Sequence, residues 1–170
     1  MIRSISITGT FVNEGWISMV LSQKERMLFQ DQKSHEEMCI QKYTKYANEA
    51  QDQQLKQLFT THASHERQHF NTLNQILTGQ PPQMGGQGQQ MATGQGQTNL
   101  NGQNVNQNDI ALAKDMLVTE KYISGAYDTV IFECQDHTIR QALNHIQKEE
   151  QQHGEDLFNY LNSKGAYPIQ

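Results

Sequence analysis

Only two cysteines, three prolines and one tryptophan occur among the 170 residues. Two cysteines cannot staple a small secreted scaffold, and they suit a reducing compartment. So few prolines, two of them adjacent at Pro81 and Pro82, leave long stretches free to be helix. Charge is scarce too. Charged residues make up 18%, with Lys+Arg 13 against Asp+Glu 18 and a formal net charge of −5. A mildly acidic chain lacks the positive surface that phosphate binding needs, so nucleic acid is not expected as a partner. It also lacks the basic amphipathic face that an anionic membrane attracts. No apolar run approaches the roughly 20 residues of a membrane-spanning helix, so membrane insertion is not expected. The segment MIRSISITGTFVNEGW has one Arg and no continuous apolar stretch, which does not read as a secretory signal peptide. Hydrophobic residues reach only 35% and mean hydropathy is −0.76. The excess polarity sits in Gln and Asn. A mass of 19.5 kDa fits one domain.

What is present is helical periodicity. Leu21 to Ala50 contains no Gly or Pro, and Leu28, Cys39, Tyr43, Tyr46 and Ala50 fall at helical spacing. Asp52 is placed to cap a second helix, with Leu55, Leu58, Phe59, His62, Glu66, His69, Leu73, Ile76 and Leu77 on one stripe. Gly79, Pro81 and Pro82 end it. Residues 79–108 are rich in Gly, Gln and Asn, too poor in apolar groups to order themselves, and read as a flexible crossover linker. Asn108 or Asp109 is expected to cap a third helix carrying Leu112, Met116, Ile123, Tyr127, Val130 and Cys134. Asp136 is expected to cap a fourth, with Ile139, Leu143, Ile146, Leu157, Tyr160 and Leu161, which Gly165 stops. Each helix has about 25 residues and is near 40 Å long.

The two halves repeat. A shift of 84 (112 − 28) carries Leu28 onto Leu112, Asp31 onto Asp115, Glu36 onto Glu120, Tyr43 onto Tyr127 and Asp52 onto Asp136. The same shift carries Glu66 onto Glu150, Gln68 onto Gln152, His69 onto His153, Leu73 onto Leu157 and Leu77 onto Leu161. A duplicated helical hairpin, residues 21–78 and 109–165, predicts an all-α four-helix bundle. The long connection between hairpins favours crossover over simple up-down order. Residues 166–170 form a short tail. Residues 1–20 read as an N-terminal extension, with a native start expected at Met19. Glu14-Gly15-Trp16 can be encoded by a purine-rich stretch that resembles a ribosome-binding site.

Glu66-Arg67-Gln68-His69 and Glu150-Gln151-Gln152-His153 are both Glu-x-x-His. At i, i+3 both side chains share one helix face. That face is the apolar stripe, where a carboxylate is costly unless paired or bound to metal. Each motif has an upstream Glu at equal separation: 66 − 36 and 150 − 120 both give 30. In antiparallel hairpins Glu36 therefore stands level with Glu66, and Glu120 with Glu150, about 22 Å from the hinge. A crossover bundle brings the two pairs together at mid-height. Four carboxylates and two imidazoles then converge, the donor set of di-iron and di-manganese carboxylate bundles. Such ligands suit iron or manganese. The bland alternative is a buried polar network without metal. Glu37 groups with the polar face and Glu149 falls off the register of Glu66, so both are expected at the surface. Asp31 and Asp115 are candidates for orienting His69 and His153, or are simply exposed. Tyr43 and Tyr127 read first as core packing, with a redox role as the alternative. His62 has Ile146 as its counterpart, which argues against a ligand role. Cys39 and Cys134 are expected to be buried and unbridged.

The segments LVTEKYISGAYDTVIFECQDHTIRQALNHIQKEEQQHGEDLFNYLNSKGAY and LSQKERMLFQDQKSHEEMCIQKYTKYANEA resemble the coat F family of bacterial spore coat proteins, within the ferritin-like superfamily. The resemblance runs from about Leu21 to Tyr167, apart from the linker. It implies synthesis in the mother-cell cytoplasm and deposition in the spore coat. Its partners would be other coat proteins or further copies of itself. Carried over by position, the superfamily's metal ligands are Glu36, Glu66, His69, Glu120, Glu150 and His153. Two function classes follow: a structural coat component with a metal-competent core, or a di-metal enzyme acting on peroxide, oxygen or ferrous iron.

Overall fold

The computed structural model describes residues 21–82 and 106–167. The N-terminal extension, the middle of the connection and the last three residues lie outside the described residues. So do the expected start at Met19 and the expected flexibility of the connection. The four helices are α1 (Gln23–Glu49), α2 (Gln53–Leu77), α3 (Gln107–Glu133) and α4 (His137–Ser163). They form an all-α four-helix bundle of two hairpins. No helix among the described residues is long and apolar enough to cross a membrane.

Local chemistry sets the helix ends. Ser22 and Glu25 form a capping box at the start of α1. Asp52 accepts the amides of Gln54 and Leu55, and Asp136 accepts that of Ile139, as the sequence implies. α3 differs from expectation: its cap is Asn106, not Asn108 or Asp109. Asp109 is turned inward to a different task. α2 and α4 close alike. Gly79 (φ 74°) and Gly165 (φ 66°) take the left-handed conformation that lets the next amide reach back to the helix.

The helix order in space follows from two contacts. Asp109, at the start of α3, accepts the amides of Gln51 (2.9 Å) and Asp52 (2.8 Å) in the α1–α2 turn. Glu25, at the start of α1, accepts the amide of Gln135 (2.9 Å) in the α3–α4 turn. The two turns therefore sit at opposite ends of the bundle. α2 therefore finishes at the end away from where α3 begins. α1 packs on α2 and α3, and α4 packs on α3 and α2.

The core repeats with the shift of 84. Leu55, Phe59 and Leu73 of α2 correspond to Ile139, Leu143 and Leu157 of α4, and all six are fully buried. Each such side chain contributes on the order of 1.5–3 kcal/mol by leaving water. The same core holds Glu36, Glu66, His69, Glu120, Glu150 and His153, none more than 2% exposed. Apolar packing carries the helices, and the polar residues occupy its middle.

Candidate metal centre

All six residues converge. One nitrogen or oxygen from each of Glu36, Glu66, His69 and Glu150 lies within 4.8 Å of the others, and Glu66, Glu120, Glu150 and His153 form a second such set. Glu66 and Glu150 belong to both. Each set takes one carboxylate from α1 or α3, one imidazole, and the two shared carboxylates from α2 and α4. The pseudo-two-fold repeat exchanges the sets.

The inner atoms have no ordinary partners. Glu36 Oε2, both oxygens of Glu66, His69 Nδ1, Glu120 Oε2, both oxygens of Glu150 and His153 Nδ1 are buried without a hydrogen bond. Some lie close: His69 Nδ1 is 2.9 Å from Glu150 Oε1, and His153 Nδ1 is 3.0 Å from Glu66 Oε1. These pairs are near in distance but not aligned as hydrogen bonds.

The outer atoms are firmly held. The Tyr43 hydroxyl donates to Glu120, and the Tyr127 hydroxyl donates to Glu36, each across the α1–α3 interface. Both tyrosines fill the core, as expected, but their hydroxyls also orient carboxylates of the opposite hairpin. His69 Nε2 donates to Glu149 Oε2 at 2.9 Å. A carboxylate here only accepts, so the Nε2 proton is assigned and Nδ1 faces the centre. His153 Nε2 lies 3.1 Å from His65 Nδ1. His62 stacks on His153 at 4.2 Å between centroids and bridges the Tyr43 hydroxyl and Asp156, each at 3.2 Å.

One expectation needs correction, and one open alternative is decided in favour of exposure. Glu149 is not a solvated bystander; it is half-buried and is the partner of His69. Asp31 and Asp115 do not orient the histidines. Asp31 is exposed. Asp115 is drawn off by Lys42 (2.6 Å) and the Tyr46 hydroxyl (2.8 Å) across the α1–α3 groove. A signal for the true partners was present. The shift of 84 carries His65 onto Glu149. Both stand one residue before a centre Glu, and each reaches the histidine of the other hairpin. Level-matching within a hairpin could not see this, because the contact runs between hairpins. His62 donates nothing to either set, in line with its having Ile146 as its counterpart.

The electrostatics follow from burial. Burial, then the neighbouring carboxylates, pushes the Glu150 carboxyl up to about 7. Glu66 and Glu120 are held well above the usual carboxylate range for the same two reasons. Burial opposes the charged form of His69, but Glu149, Glu150, Glu36 and Glu66 outweigh it and raise the imidazole well above its ordinary value. Burial would also raise Glu36, yet His69 beside it lowers it instead. His153, buried and facing His62, His69 and His65, is held well below the ordinary imidazole value. In the protein alone, protons shared among the carboxyls and His69 offset the crowded charge. Cys39 and Cys134 are buried and unbridged. Burial and then the centre's carboxylates push the Cys39 thiol up, which leaves it inert.

A depression of about 390 Å³ opens between α3 and α4 and is lined by Glu120 and Glu150 at its inner side and by Lys121, Phe158 and Tyr167. On the α2–α4 side, a gap of about 10 Å³, room for one water, touches His69 and Glu149.

Residues 108–170 match the family model of the Coat F domain, a span that takes in α4 and all of α3 but its first residue. Comparison with curated proteins and with solved structures returns no match.

Proposed function

We propose that the chain is a structural component of the bacterial spore coat whose ferritin-like bundle holds a two-metal carboxylate centre of iron or manganese. The Coat F match on the second hairpin supports the coat assignment, and the repeat extends the same pattern to the first hairpin. Partners on this reading are other coat proteins or further copies of the chain. The observation that carries the metal reading is the set of eight buried, unpartnered donor atoms aimed into one small volume. A core that merely needed polar pairing would leave few such atoms.

The residues fit two divalent cations. Glu36 and His69 would hold one, Glu120 and His153 the other, and Glu66 and Glu150 would be shared. Four carboxylates balance two divalent charges. Carboxylate and imidazole donors suit iron and manganese, which would supply redox and Lewis-acid chemistry when bound. Glu149 fixes the proton on His69 Nε2 and so presents Nδ1 inward. Tyr127 and Tyr43 hold the outer oxygens of Glu36 and Glu120 in place.

A second reading, a di-metal enzyme acting on peroxide, oxygen or ferrous iron, draws support from the depression that reaches Glu120 and Glu150. One experiment separates the readings. Protein purified without added metal is analysed for metal, and thermal melts are run with and without Fe(II) or Mn(II), for wild type and for the Glu66→Ala/Glu150→Ala variant. A preformed site stabilises the native state by about 2.7 kcal/mol at a hundredfold excess over Kd. The wild type should show that shift and the variant should not, while its helices persist. The metal-free variant should be at least as stable as the metal-free wild type, because repelling charges are gone. Equal shifts in both proteins would sink the metal centre and leave a buried polar network. Turnover lost in the variant would favour the enzyme; metal without turnover, the structural role.

A further inference from the structure

The back of α3 is apolar where a lone bundle would be polar. Val118 is 66% exposed, Tyr122 63% and Phe132 84%, and all three point away from the core. With exposed Gly125 and Thr129 they make one stripe, Val118, Tyr122, Gly125, Thr129, Phe132, at alternating spacings of four and three. That is the seam spacing of two helices packed side by side. Gly125 stands near its middle, with open space where a Cβ would project. A glycine inside an exposed helix weakens it, so it needs a reason.

We infer that a second copy of this chain docks here, α3 against α3 and antiparallel. One register accounts for the glycine, the tyrosine and the flanking charges. Tyr122 of each copy lies over Gly125 of the other, a large ring in the space that glycine leaves. The same register sets Val118 beside Thr129 of the second copy and Phe132 at the level of its Asp115, where Lys42 and Tyr46 already pair with the carboxylate. It also sets Lys121 of each copy beside Asp128 of the other. These two charges lie on the same flank of the stripe, the arrangement that meets its like across an antiparallel pair. Asp128 has no hydrogen-bond or ion-pair partner among the described residues, and Lys121 reaches only the Tyr167 hydroxyl, at 3.5 Å, and its ring. Size and charge are thus both self-complementary, and a two-fold contact closes as a dimer. The dimer needs no metal and stands or falls independently of the centre.

Sedimentation velocity of the full chain over a wide concentration range, metal-free and metal-loaded, tests it. A dimer should form in both states. Gly125→Leu should be monomeric with an unchanged or raised melting temperature, because the helix gains a better former while the seam is blocked. Lys121→Asp should weaken the dimer by about tenfold or more, since like charges then face each other twice. Lys121→Asp/Asp128→Lys should restore it. A wild type that stays monomeric at every concentration, or a dimer that survives Gly125→Leu, overturns the proposal, as does failure of the charge swap to rescue.

Discussion

Glu149 shows how much one position decides. It sits beside Glu150 in sequence, yet it turns to the Nε2 side of His69 while Glu150 turns to the Nδ1 side. The imidazole is clamped between two carboxylates of the opposite hairpin. Glu149→Gln leaves the size unchanged and removes the anionic acceptor that fixes the tautomer. Metal affinity should fall by roughly 10–100-fold, with little change in helix content. Competition titration against a chelator checks this; an unchanged affinity would make Glu149 a bystander. Its counterpart His65, which faces His153 Nε2, should matter less, because a neutral acceptor strengthens a ligand less than a carboxylate does.

At the scale of the helices, the first turns of α1 and α3 do double duty. Glu25 completes its own capping box and also accepts the Gln135 amide of the other hairpin's turn. Burial would raise its carboxyl, but the Gln135 and Ser22 hydrogen bonds prevail and lower it. Asp109, its equivalent under the repeat, accepts two turn amides of the first hairpin. Each hairpin thus satisfies backbone amides that its partner leaves open, which ties the turns to the opposite helix starts. Asp109→Ala should cost about 2 kcal/mol in thermal or urea unfolding, because it strands two amides near the core. A loss below about 0.5 kcal/mol would mean that water replaces the carboxylate freely. Lys164, bonded to Asp52 at 2.7 Å, is the smaller clasp at the same end.

For the whole molecule, the centre is a source of instability until its charge is balanced. A group whose native pKa lies above its unfolded value adds stability while protonated, and that contribution is lost as pH rises through the native value. Glu66, Glu120, Glu150 and His69 are all of this kind, with Glu150 near 7. His62, His65 and His153 are shifted the other way, chiefly by burial, so their contribution is complete once the pH exceeds the ordinary imidazole value. They cannot compensate above it. Metal-free protein should therefore lose stability as the pH rises above about 6.5, where those histidines no longer compensate and His69, Glu66 and Glu120 still hold protons. The stabilisation given by Mn(II) should grow over the same interval, since binding no longer has to displace protons. Urea unfolding at three pH values, with and without metal, reads both slopes. A metal-free stability that is flat or rises would contradict this charge balance.

The repeat in the sequence determined a great deal alone. Helical spacing of Leu55, Phe59 and Leu73, the caps Asp52 and Asp136, and the equal separations from Glu36 to Glu66 and from Glu120 to Glu150 were enough for the bundle and for six converging side chains. Periodicity and spacing act within a helix or a hairpin, where the chain itself sets distance. What they could not reach was any contact between hairpins. Asp109 is an acceptor for the Gln51 and Asp52 amides rather than a cap, and Asp115 answers to Lys42 and Tyr46 rather than to His153. Glu149 serves His69, and Tyr43 serves Glu120. Only the tertiary structure decided these, because rotation of one hairpin against the other is not encoded in any local separation. It is settled by how the apolar stripes interlock over their whole length, and the polar partners follow from that.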